Sequence, residues 1–374
     1  MTHRIVVLGG GYAGMAVANR VARRVEGADV VVVNERERFV ERVRLHQVAA
    51  GQEAAEYPLA NRLRNGARLV VGRARGLDLD GHEIDLGHER LRYDTLVYAL
   101  GSRAAQAPDE ALTLATWEAA QDAAKRVADL AAERGVLAVV GGGLTGIEAA
   151  TEFAESHPGL RVRMVSEADP GAWLSPRGQA HVRRVFDRLG IEVVAGAPVS
   201  DVRDGAVVLA GGRTVGAGLV VACTGFTVPG LARDAGLTVD GGGRVRVDAT
   251  LRSVSHPDVY AVGDAAVVTM PSGQELRMAC ATGLPMATVA GNAIAARLTG
   301  REPGRLRFRF FNQCVSLGRR DGLIQFVAAD DSPHRMVLTG RAAARYKEAV
   351  VRGALWFTAN AGPYRPVRRR PVAA

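Results

Sequence analysis

The sequence predicts an α/β protein whose parallel sheets are buried and whose opening strand–turn–helix pattern occurs twice. Hydrophobic residues make up 48% of the 374 residues, and 44 glycines separate short runs rich in Val and Leu. Apolar strands that alternate with helices are typical of parallel sheets covered on both faces. A chain of this length holds two to three domain-sized units.

The first copy of the pattern begins the chain. A buried strand is predicted at residues 4–8, a helix at residues 12–24 after a glycine-rich turn, and a second strand at residues 29–33. Further short strands follow at residues 69–71, 82–86 and 95–100. A strand, a helix and a parallel strand in this order form the first unit of a Rossmann-type sheet.

The second copy follows an Ala-rich helix predicted at residues 117–133. Its predicted elements are a strand at 136–140, a glycine-rich turn at 141–146, a helix at 147–156 and a strand at 160–165. The first pattern resumes near residue 236 and includes the strand VYAVGDAA and a helix at residues 285–298. The repeat therefore predicts two Rossmann-like dinucleotide-binding domains, the second inserted in the first.

The predicted domain boundaries follow from this repeat. The outer domain comprises residues 1–105 and 236–300, and the inserted domain comprises residues 106–235. Residues 301–374 are richer in aromatic and β-branched residues. They predict a small C-terminal α+β module that contains antiparallel strands and a helix at residues 345–359.

Composition excludes several classes of function. The net charge of +9 comes almost entirely from Arg spread along the chain, so we expect no nucleic-acid partner. No run of 18 apolar residues and no secretory leader are present, which favours a cytoplasmic protein. The cysteines Cys223, Cys280 and Cys314 form no CxxC pair and predict neither a metal site nor a disulfide framework.

Both glycine-rich turns carry a GxGxxG fingerprint, GGGYAG at residues 9–14 and GGGLTG at residues 141–146. The first glycine makes the tight turn, the second lets the backbone approach a pyrophosphate, and the third lets helix and strand pack closely. N–H groups at the start of the helix then face the phosphates. Each copy follows a strand and opens a helix, as this chemistry requires.

An acidic residue follows the second strand of each copy. Glu35 and Glu167 each lie 26 residues after the first glycine of their own fingerprint. A carboxylate there accepts hydrogen bonds from ribose hydroxyls. Glu167 would repel the 2′-phosphate of NADPH, and no Arg follows within SEADPG, so NADH is favoured over NADPH.

Three strand ends complete the predicted sites. DTLVYALGS (94–102) and LVVACTGF (219–226) fit chain crossings between the domains, where small residues leave room for a nucleotide. In VYAVGD, the amide of Gly263 can meet a flavin pyrophosphate, and Asp264 can bond the ribityl chain. The candidate cofactor-binding residues are Gly9, Gly11, Tyr12, Ala13, Gly14, Glu35, Arg36, Arg44, Ala74, Ala99, Gly101, Gly141, Gly143, Leu144, Thr145, Gly146, Glu167, Gly225, Gly263 and Asp264.

Together these residues resemble the two-dinucleotide-binding flavoprotein superfamily, the pyridine nucleotide-disulfide oxidoreductases, across residues 1–300. Within it, VVGGGLTGIEAATEF, CATGLPMATVAGNAIAARL and SLGRRDGLIQF are similar to segments of type II NADH dehydrogenases and ferroptosis suppressor or apoptosis-inducing-factor-like quinone reductases. The resemblance implies FAD in the outer domain and NADH in the inserted domain. It also implies that Glu148 approaches the nicotinamide and the flavin.

The sequence departs from this superfamily in two respects. The redox-active disulfide is missing, and the loop at residues 39–51 contains no cysteine, so electrons are expected to leave directly from reduced flavin. The glutamine-rich quinone motif of respiratory type II enzymes is replaced by ACATGLP at residues 279–285. The identity of the acceptor is therefore left open.

Hydride transfer from nicotinamide to flavin depends on stacking and on exclusion of water, so no catalytic triad is expected. The candidate catalytic residues are Glu148 and His46. His46 is the imidazole predicted near the isoalloxazine and suits proton donation to an acceptor. The alternatives are an exposed helical Glu148 and a His46 that only lines the pocket or the surface. Lys347 is a further candidate on the acceptor side.

The leading hypothesis is an NADH-dependent FAD oxidoreductase that reduces a quinone or a quinone-like small molecule. Two alternatives are a soluble flavin reductase acting on a specialised metabolite or a carrier protein, and a slow redox sensor of the apoptosis-inducing-factor kind. The apolar residues of the C-terminal helix and the Arg-rich tail fit a peripheral contact with the inner face of a membrane. They fit equally well with cover for the FAD domain or with a homodimer interface.

Overall fold

A computed structural model describes residues 2–105, 107–270, 273–360 and 369–373. Its α-helices are, in chain order, Tyr12–Arg24 (α1), Leu45–Ala49 (α2), Leu59–Arg62 (α3), Trp117–Ala132 (α4), Leu144–Ser156 (α5), Pro176–Leu189 (α6), Leu231–Asp234 (α7), Cys280–Leu298 (α8) and Gly340–Asn360 (α9). Two 3-10 turns are present, Arg42–Arg44 and Gly263–Ala265.

Five parallel strands form the first sheet. In spatial order they are Val259–Ala261, Thr95–Tyr98, Arg4–Leu8, Asp29–Asn34 and Arg68–Val71. The central strands are buried on both faces, which explains their continuous apolar sequence. Strand Val259–Ala261 follows the whole second sheet along the chain, so the first sheet is completed only after the second.

The second sheet repeats this arrangement. In spatial order its parallel strands are Leu112–Thr113, Leu219–Ala222, Val136–Val140, Arg161–Ser166 and Glu192–Ala195. Leu137 and Val139 enter one apolar core, whereas Ala138 and Val140 enter another, because successive strand side chains point to opposite faces. The predicted fold class, with one Rossmann-like unit inserted in another, is confirmed.

Shorter sheets and strand pairs surround the two parallel sheets, and most of them are antiparallel. Three-stranded sheets are formed by Gly76–Asp78, Glu83–Asp85 and Arg90–Arg92, by Val199–Arg203, Ala206–Leu209 and Thr214–Gly216, and by Asn312–Ser316, Gly322–Val327 and Pro333–Thr339. Two antiparallel two-residue pairs are formed by Arg103–Ala104 with Phe226–Thr227 and by Arg38–Phe39 with Tyr57–Pro58, and two parallel ones by Val245–Arg246 with Ala266–Val267 and by Val25–Glu26 with Arg370–Pro371. The first of these pairs joins the two chain crossings between the sheets.

The C-terminal module contacts both Rossmann units. Its sheet is attached to the second unit through Gln325, whose buried Oε1 accepts a hydrogen bond from the backbone N–H of Ser175 at 3.0 Å. Helix α9 packs on α1, where Asn19 donates to the carbonyl of Thr358 at 2.7 Å. One face of α9 therefore covers the first unit, as one of the sequence alternatives proposed.

The opposite face of α9 is exposed at Tyr346, Val350 and Trp356. No helix within the described part of the chain has the length and hydropathy needed to cross a membrane. The predicted Arg-rich tail lies partly outside the described residues, since only Arg369 and Arg370 of its clustered arginines are described.

Three predicted helix starts were wrong. Helix α5 begins at Leu144 rather than residue 147, α8 at Cys280 rather than residue 285, and α9 at Gly340 rather than residue 345. The sequence predicted that α8 starts at Pro285, but this proline lies in the second turn of the helix. A proline near the start of a helix removes few hydrogen bonds, so it marks the beginning only approximately.

Candidate functional site

The first fingerprint forms an open turn between a strand and α1. Gly9 has φ +115°, and a Cβ there would overlap the carbonyl oxygen of Ala99. A Cβ on Gly14 would overlap the carbonyl oxygen of Gly9. A Cβ on Gly11 would meet no atom within 4 Å. Gly9 and Gly14 therefore serve the packing of strand and helix, whereas Gly11 leaves the backbone accessible to a ligand.

The second fingerprint has the same geometry. Gly141 has φ +116°, and a Cβ there would lie 2.5 Å from the carbonyl oxygen of Cys223. A Cβ on Gly146 would overlap the carbonyl oxygen of Gly141, and Gly143 again faces open space. Leu144 and Thr145 form the first turn of α5. The two predicted nucleotide sites therefore share one backbone design.

Asn34, at the end of the second strand of the first unit, holds the glycine-rich turn in place. Asn34 accepts a hydrogen bond from the N–H of Gly10 at 2.9 Å and donates to the carbonyl of Arg36 at 2.8 Å. Glu35 follows directly and contacts Arg36 at 3.3 Å, while Arg36 also pairs with Glu118 at 2.6 Å. Glu35 thus lies at the end of the strand, as predicted, and Arg36 is held at the surface by two acids.

A groove of about 430 Å³ lies beside the second fingerprint. Its lining residues are Val140, Gly141, Gly142, Gly143, Val165, Ser166, Glu167, Ala168, Asp169, Ala172, Trp173, Pro198, Val199 and Thr224. The groove therefore joins the glycine turn to Glu167, with Trp173 and Pro198 as apolar walls. Glu167 and Asp169 are its charged lining residues, so it suits an unphosphorylated ribose better than a 2′-phosphate.

Asp264 is placed at the end of the first sheet by a short 3-10 turn. It accepts a hydrogen bond from the hydroxyl of Ser102 at 2.6 Å, and Arg42 donates to the carbonyl of Ser102 at 2.5 Å. Burial lowers the pKa of the Arg42 guanidinium, and the nearby Asp264 carboxylate opposes that effect. Gly263 faces Ala13 of the first fingerprint, since a Cβ there would lie 3.2 Å from the Ala13 methyl.

Arg42, rather than the predicted Arg44, reaches this part of the first unit. Arg44 pairs with Glu348 of α9 at 2.9 Å and with Glu41 at 3.2 Å, which directs its guanidinium toward the C-terminal module. The two arginines are neighbours in one short turn, and the sequence pattern did not separate them.

The remaining predicted residues lie at the edges of the two units. Ala74 packs against the first core in the loop after strand Arg68–Val71. Gly101 and Gly225 each come just before one strand of the pair that joins the crossings. Ala74, Gly101 and Gly225 therefore lie beside the apolar cores rather than inside them.

A buried cluster of polar side chains lies where α2, α5, α9 and the C-terminal sheet meet. Glu148 of α5 is 5% exposed, and its Oε1 accepts a hydrogen bond from the N–H of Ser316 at 2.9 Å. The same oxygen contacts Nζ of Lys347, which also lies 3.4 Å from the carbonyl oxygen of Cys314. Burial, with the positive charge of Arg44 second, lowers the pKa of the Lys347 amine to about 7.

His46 lies in the same cluster. Its Nε2 is 3.4 Å from Oγ of Ser316 and 3.9 Å from Oε2 of Glu152. Burial, followed by the positive charges of Lys347 and Arg319, lowers the pKa of His46 well below its usual value. Burial raises the pKa of Glu152 to about 7. Because these shifts favour the neutral form of both groups, the 3.9 Å contact is not an ion pair near pH 6.

The structure thus brings Glu148, His46 and Lys347 together, which the sequence treated as separate candidates. Sequence reasoning missed Ser316, Glu152 and the half-buried Gln52, whose Nε2 donates to Glu152. One signal was present for Glu152, because it follows Glu148 by four residues on a helix and so lies on the same face. Ser316 and Gln52 have no signal of this kind, since only the tertiary fold places them there.

The three cysteines are free thiols in the structure. Burial raises the pKa of Cys223 and of Cys314 to about 12, and it also raises the pKa of Cys280. Thiols of this kind are protonated at neutral pH and are poor nucleophiles. Among the described residues, no group of three or more His, Cys, Asp or Glu side chains is placed to hold a metal ion.

Two Rossmann-like units, each with a fingerprint and an acid at the end of its second strand, define a dinucleotide-dependent oxidoreductase. The sequence matches the pyridine nucleotide-disulphide oxidoreductase family over residues 3–292, and the chain belongs to that family. The resemblance seen in the sequence is thereby confirmed.

Several curated relatives cover most of this chain. An NADH dehydrogenase-like protein of Mycobacterium tuberculosis is 29% identical over 346 residues, which are 84% of this chain and 86% of that protein. Ferroptosis suppressor protein 1 of Taeniopygia guttata is 28% identical and covers 86% and 88% of the two chains. The demethylphylloquinone reductase NdbB of Synechocystis sp. is 26% identical and covers 86% of each.

Solved structures support the same fold. The structure of NDH2 from Plasmodium falciparum in complex with NADH has a TM-score of 0.80 at 14% identity, covering 96% of this chain and 97% of that one. At this identity the likeness establishes the fold. Family and fold together imply FAD and a nicotinamide dinucleotide as cofactors.

The residues of this chain fit both cofactors. At the first fingerprint, the hydroxyl of Tyr12 is buried and has no hydrogen-bond partner among the described residues. Burial, with the Glu41 carboxylate second, raises its pKa, so the hydroxyl stays protonated and can donate to a ligand. At the second fingerprint, the groove beside Glu167 has the size and the polar ends that an adenosine needs.

Proposed function

We propose that the protein is an NADH-dependent FAD oxidoreductase that reduces a quinone or a quinone-like small molecule. The observation that carries the proposal is the buried Lys347–Glu148 contact, with Ser316 and His46 beside it. Reduction of a quinone to a quinol requires protons as well as electrons. A buried amine whose pKa is about 7 is suited to proton transfer at neutral pH. Relatives named as a demethylphylloquinone reductase and as NADH dehydrogenase-like agree with this reaction class.

Each cofactor would be held by one fingerprint. Gly11, the N–H groups at the start of α1, Tyr12 and Asp264 would hold FAD, which when bound accepts a hydride and passes on two electrons. Gly143, the start of α5 and the groove at Glu167 would hold NADH. Under this proposal, the chain would supply the N–H groups at the starts of α1 and α5 for the phosphates and the Glu167 carboxylate for a ribose.

The acid–base groups act at the junction between the nucleotide units and the C-terminal module. Glu148 lies on the helix that begins at the second fingerprint, one turn beyond the glycines. Lys347 reaches it from α9, and Ser316 holds its carboxylate through a backbone N–H. The buried, protonated cysteines offer no thiol relay, so direct transfer to the acceptor is the pathway that these side chains support.

A stopped-flow experiment tests the proposal. The FAD-loaded protein is reduced with NADH and mixed in turn with a soluble short-chain quinone, with an electron-carrier protein and with air. Fast reoxidation by the quinone alone is expected. Fast reoxidation by the carrier protein alone would instead make the protein a flavin reductase for a protein partner. Slow reoxidation by all three would indicate a redox sensor and would contradict the proposal.

The exposed face of α9 supports a peripheral contact for the same enzyme. Tyr346, Val350 and Trp356 are exposed on this face, and Arg352 lies nearby with 76% of its side chain exposed. Apolar side chains flanked by Arg suit the surface of an anionic membrane, and they also suit a second copy of the chain. Co-flotation with anionic vesicles and sedimentation at increasing concentration distinguish these two contacts, and Val350→Asp should weaken the one that occurs.

A further inference from the structure

A second buried carboxyl group lies behind the Lys347–Glu148 pair. Glu152 is one turn further along α5 and is completely buried. Its Oε1 accepts a hydrogen bond from Nε2 of Gln52, but its Oε2 is buried without a hydrogen-bond partner among the described residues. A buried polar atom left unpaired is costly, so such an atom calls for an explanation beyond packing.

Oε2 of Glu152 faces the imidazole of His46. It lies 3.9 Å from Nε2 of His46, a distance that a small rotation of the carboxyl group or one bridging water closes. The same nitrogen lies 3.4 Å from Oγ of Ser316, and Ser316 donates its N–H to Glu148 at 2.9 Å. The hydroxyl of Ser316 thus contacts His46 while its backbone N–H holds Glu148, so Ser316 places His46 beside the Glu148–Lys347 pair without carrying a proton between them.

We propose that Glu152 stores the proton that each turnover takes from solvent and passes it to Nε2 of His46, which donates it to the acceptor beside the Glu148–Lys347 pair. This inference rests on the proposed function, because only an acceptor that gains protons needs such a supply. NADH delivers two electrons and one proton as a hydride, whereas a quinone becomes a quinol by gaining two electrons and two protons. The second proton must come from solvent.

The surroundings of Glu152 suit this role. Burial raises the pKa of Glu152 to about 7, the hydrogen bond from Gln52 and the charge of Arg319 oppose the shift, and Glu155 adds to it. Glu152 therefore gains and loses a proton near neutral pH. Burial and the nearby positive charges keep His46 neutral, so a proton taken from Glu152 does not stay on the imidazole and is passed on.

Two half-buried polar residues lie between Glu152 and the surface. Gln52 is half-buried and lies 3.3 Å from Oγ of the half-buried Ser156. The elements packed around Glu152 thus contribute His46 from α2, Glu148 and Glu155 from α5, Arg319 from the turn of the C-terminal sheet, and Lys347 from α9.

The test compares two acceptors in the FAD-loaded E152Q variant. Ferricyanide takes up electrons without protons, whereas a soluble short-chain quinone takes up both. In E152Q, the ratio of quinone turnover to ferricyanide turnover should fall at least about tenfold. E155Q makes the same chemical change on the next turn of α5 and should keep the wild-type ratio. H46Q interrupts the same contacts on another helix and should lower the ratio as E152Q does, even if E152Q folds poorly.

An infrared measurement provides a readout independent of turnover. The wild type and E155Q should show the band of a buried protonated carboxyl group at pH 6 that disappears by pH 9, and E152Q should lack this band. An unchanged acceptor ratio in a folded E152Q, or a band that E152Q retains, would overturn the inference. If the wild type reduces ferricyanide but no quinone, the proposed function fails, and the infrared band then decides whether Glu152 stores a proton.

Discussion

Replacing Glu152 by Gln should change how the stability of the fold depends on pH. Burial raises the pKa of this carboxyl group from its ordinary 4.5 to about 7. Because the folded-state pKa is raised, the stability that the protonated group contributes is complete below pH 4.5 and is lost as the pH rises through about 7. Gln carries no proton to lose, so E152Q should not show this loss.

The size of the effect follows from the same two values. A change of one pH unit corresponds to about 1.36 kcal/mol for each proton that only one of the two states binds. Between pH 5 and pH 8, the wild type should therefore lose roughly 2.5 kcal/mol of unfolding free energy relative to E152Q. Glu152 is completely buried, so solvent screening does not reduce this value appreciably.

Urea unfolding followed by tryptophan fluorescence measures the difference. FAD-loaded wild type, E152Q and E155Q are compared at pH 5 and pH 8 in the same buffer mixture. The advantage of E152Q over the wild type should grow by roughly 2.5 kcal/mol from pH 5 to pH 8. E155Q should stay close to the wild type, because the Glu155 charge makes only the smallest contribution to the raised pKa of Glu152. A parallel pH dependence in E152Q and the wild type would refute the burial argument.

Three further predictions concern the nucleotide sites and the buried amine. Glu167→Ala should narrow the preference for NADH over NADPH by about tenfold in kcat/KM, as expected for loss of one charge-assisted hydrogen bond, while Glu133→Ala at the exposed end of α4 should not. An unchanged ratio would show that the acid does not contact the ribose. Gly14→Ala should prevent the protein from folding with bound FAD, because the added Cβ would overlap the carbonyl oxygen of Gly9. Gly11→Ala should keep the native circular dichroism but bind FAD more weakly. A stable Gly14→Ala protein with the yellow colour of bound flavin would contradict the packing role of Gly14. Lys347→Met should cost about 3–5 kcal/mol of unfolding free energy, because it leaves a buried carboxylate unpaired, and should slow quinone turnover about a hundredfold. A rate of NADH-driven flavin reduction that falls equally would show that Lys347 acts before the acceptor step.

The repeated parts of the fold could be predicted from the sequence because their signals are local. Strand Val136–Val140 and helix α1 were predicted at their observed limits, since glycine turns and apolar runs bound them. The start of α8 was not, because Pro285 is tolerated in its second turn and the residues before it carry no capping signal.

The candidate site could be predicted only in part, for a related reason. Glu148 has a fixed spacing from a fingerprint, so its place follows from one helix. Lys347 lies 199 residues further along the chain, and its contact with Glu148 depends on how α9 packs. Likewise, Arg42 and Arg44 differ by the direction that one 3-10 turn gives to each side chain, and no sequence spacing encodes that direction.

The glycine turns and the partners of Glu148 belong to different parts of the chain, and this separation has a consequence for how the architecture can vary. Both glycine turns are built from the same backbone contacts, whereas the amine of Lys347 and the N–H of Ser316 come from a module that neither turn requires. If the proposed function holds, a change confined to that module would alter the acceptor side and leave the nucleotide sites unchanged. Any replacement module would have to keep contacts with Glu148 like those that Ser316 and Lys347 make.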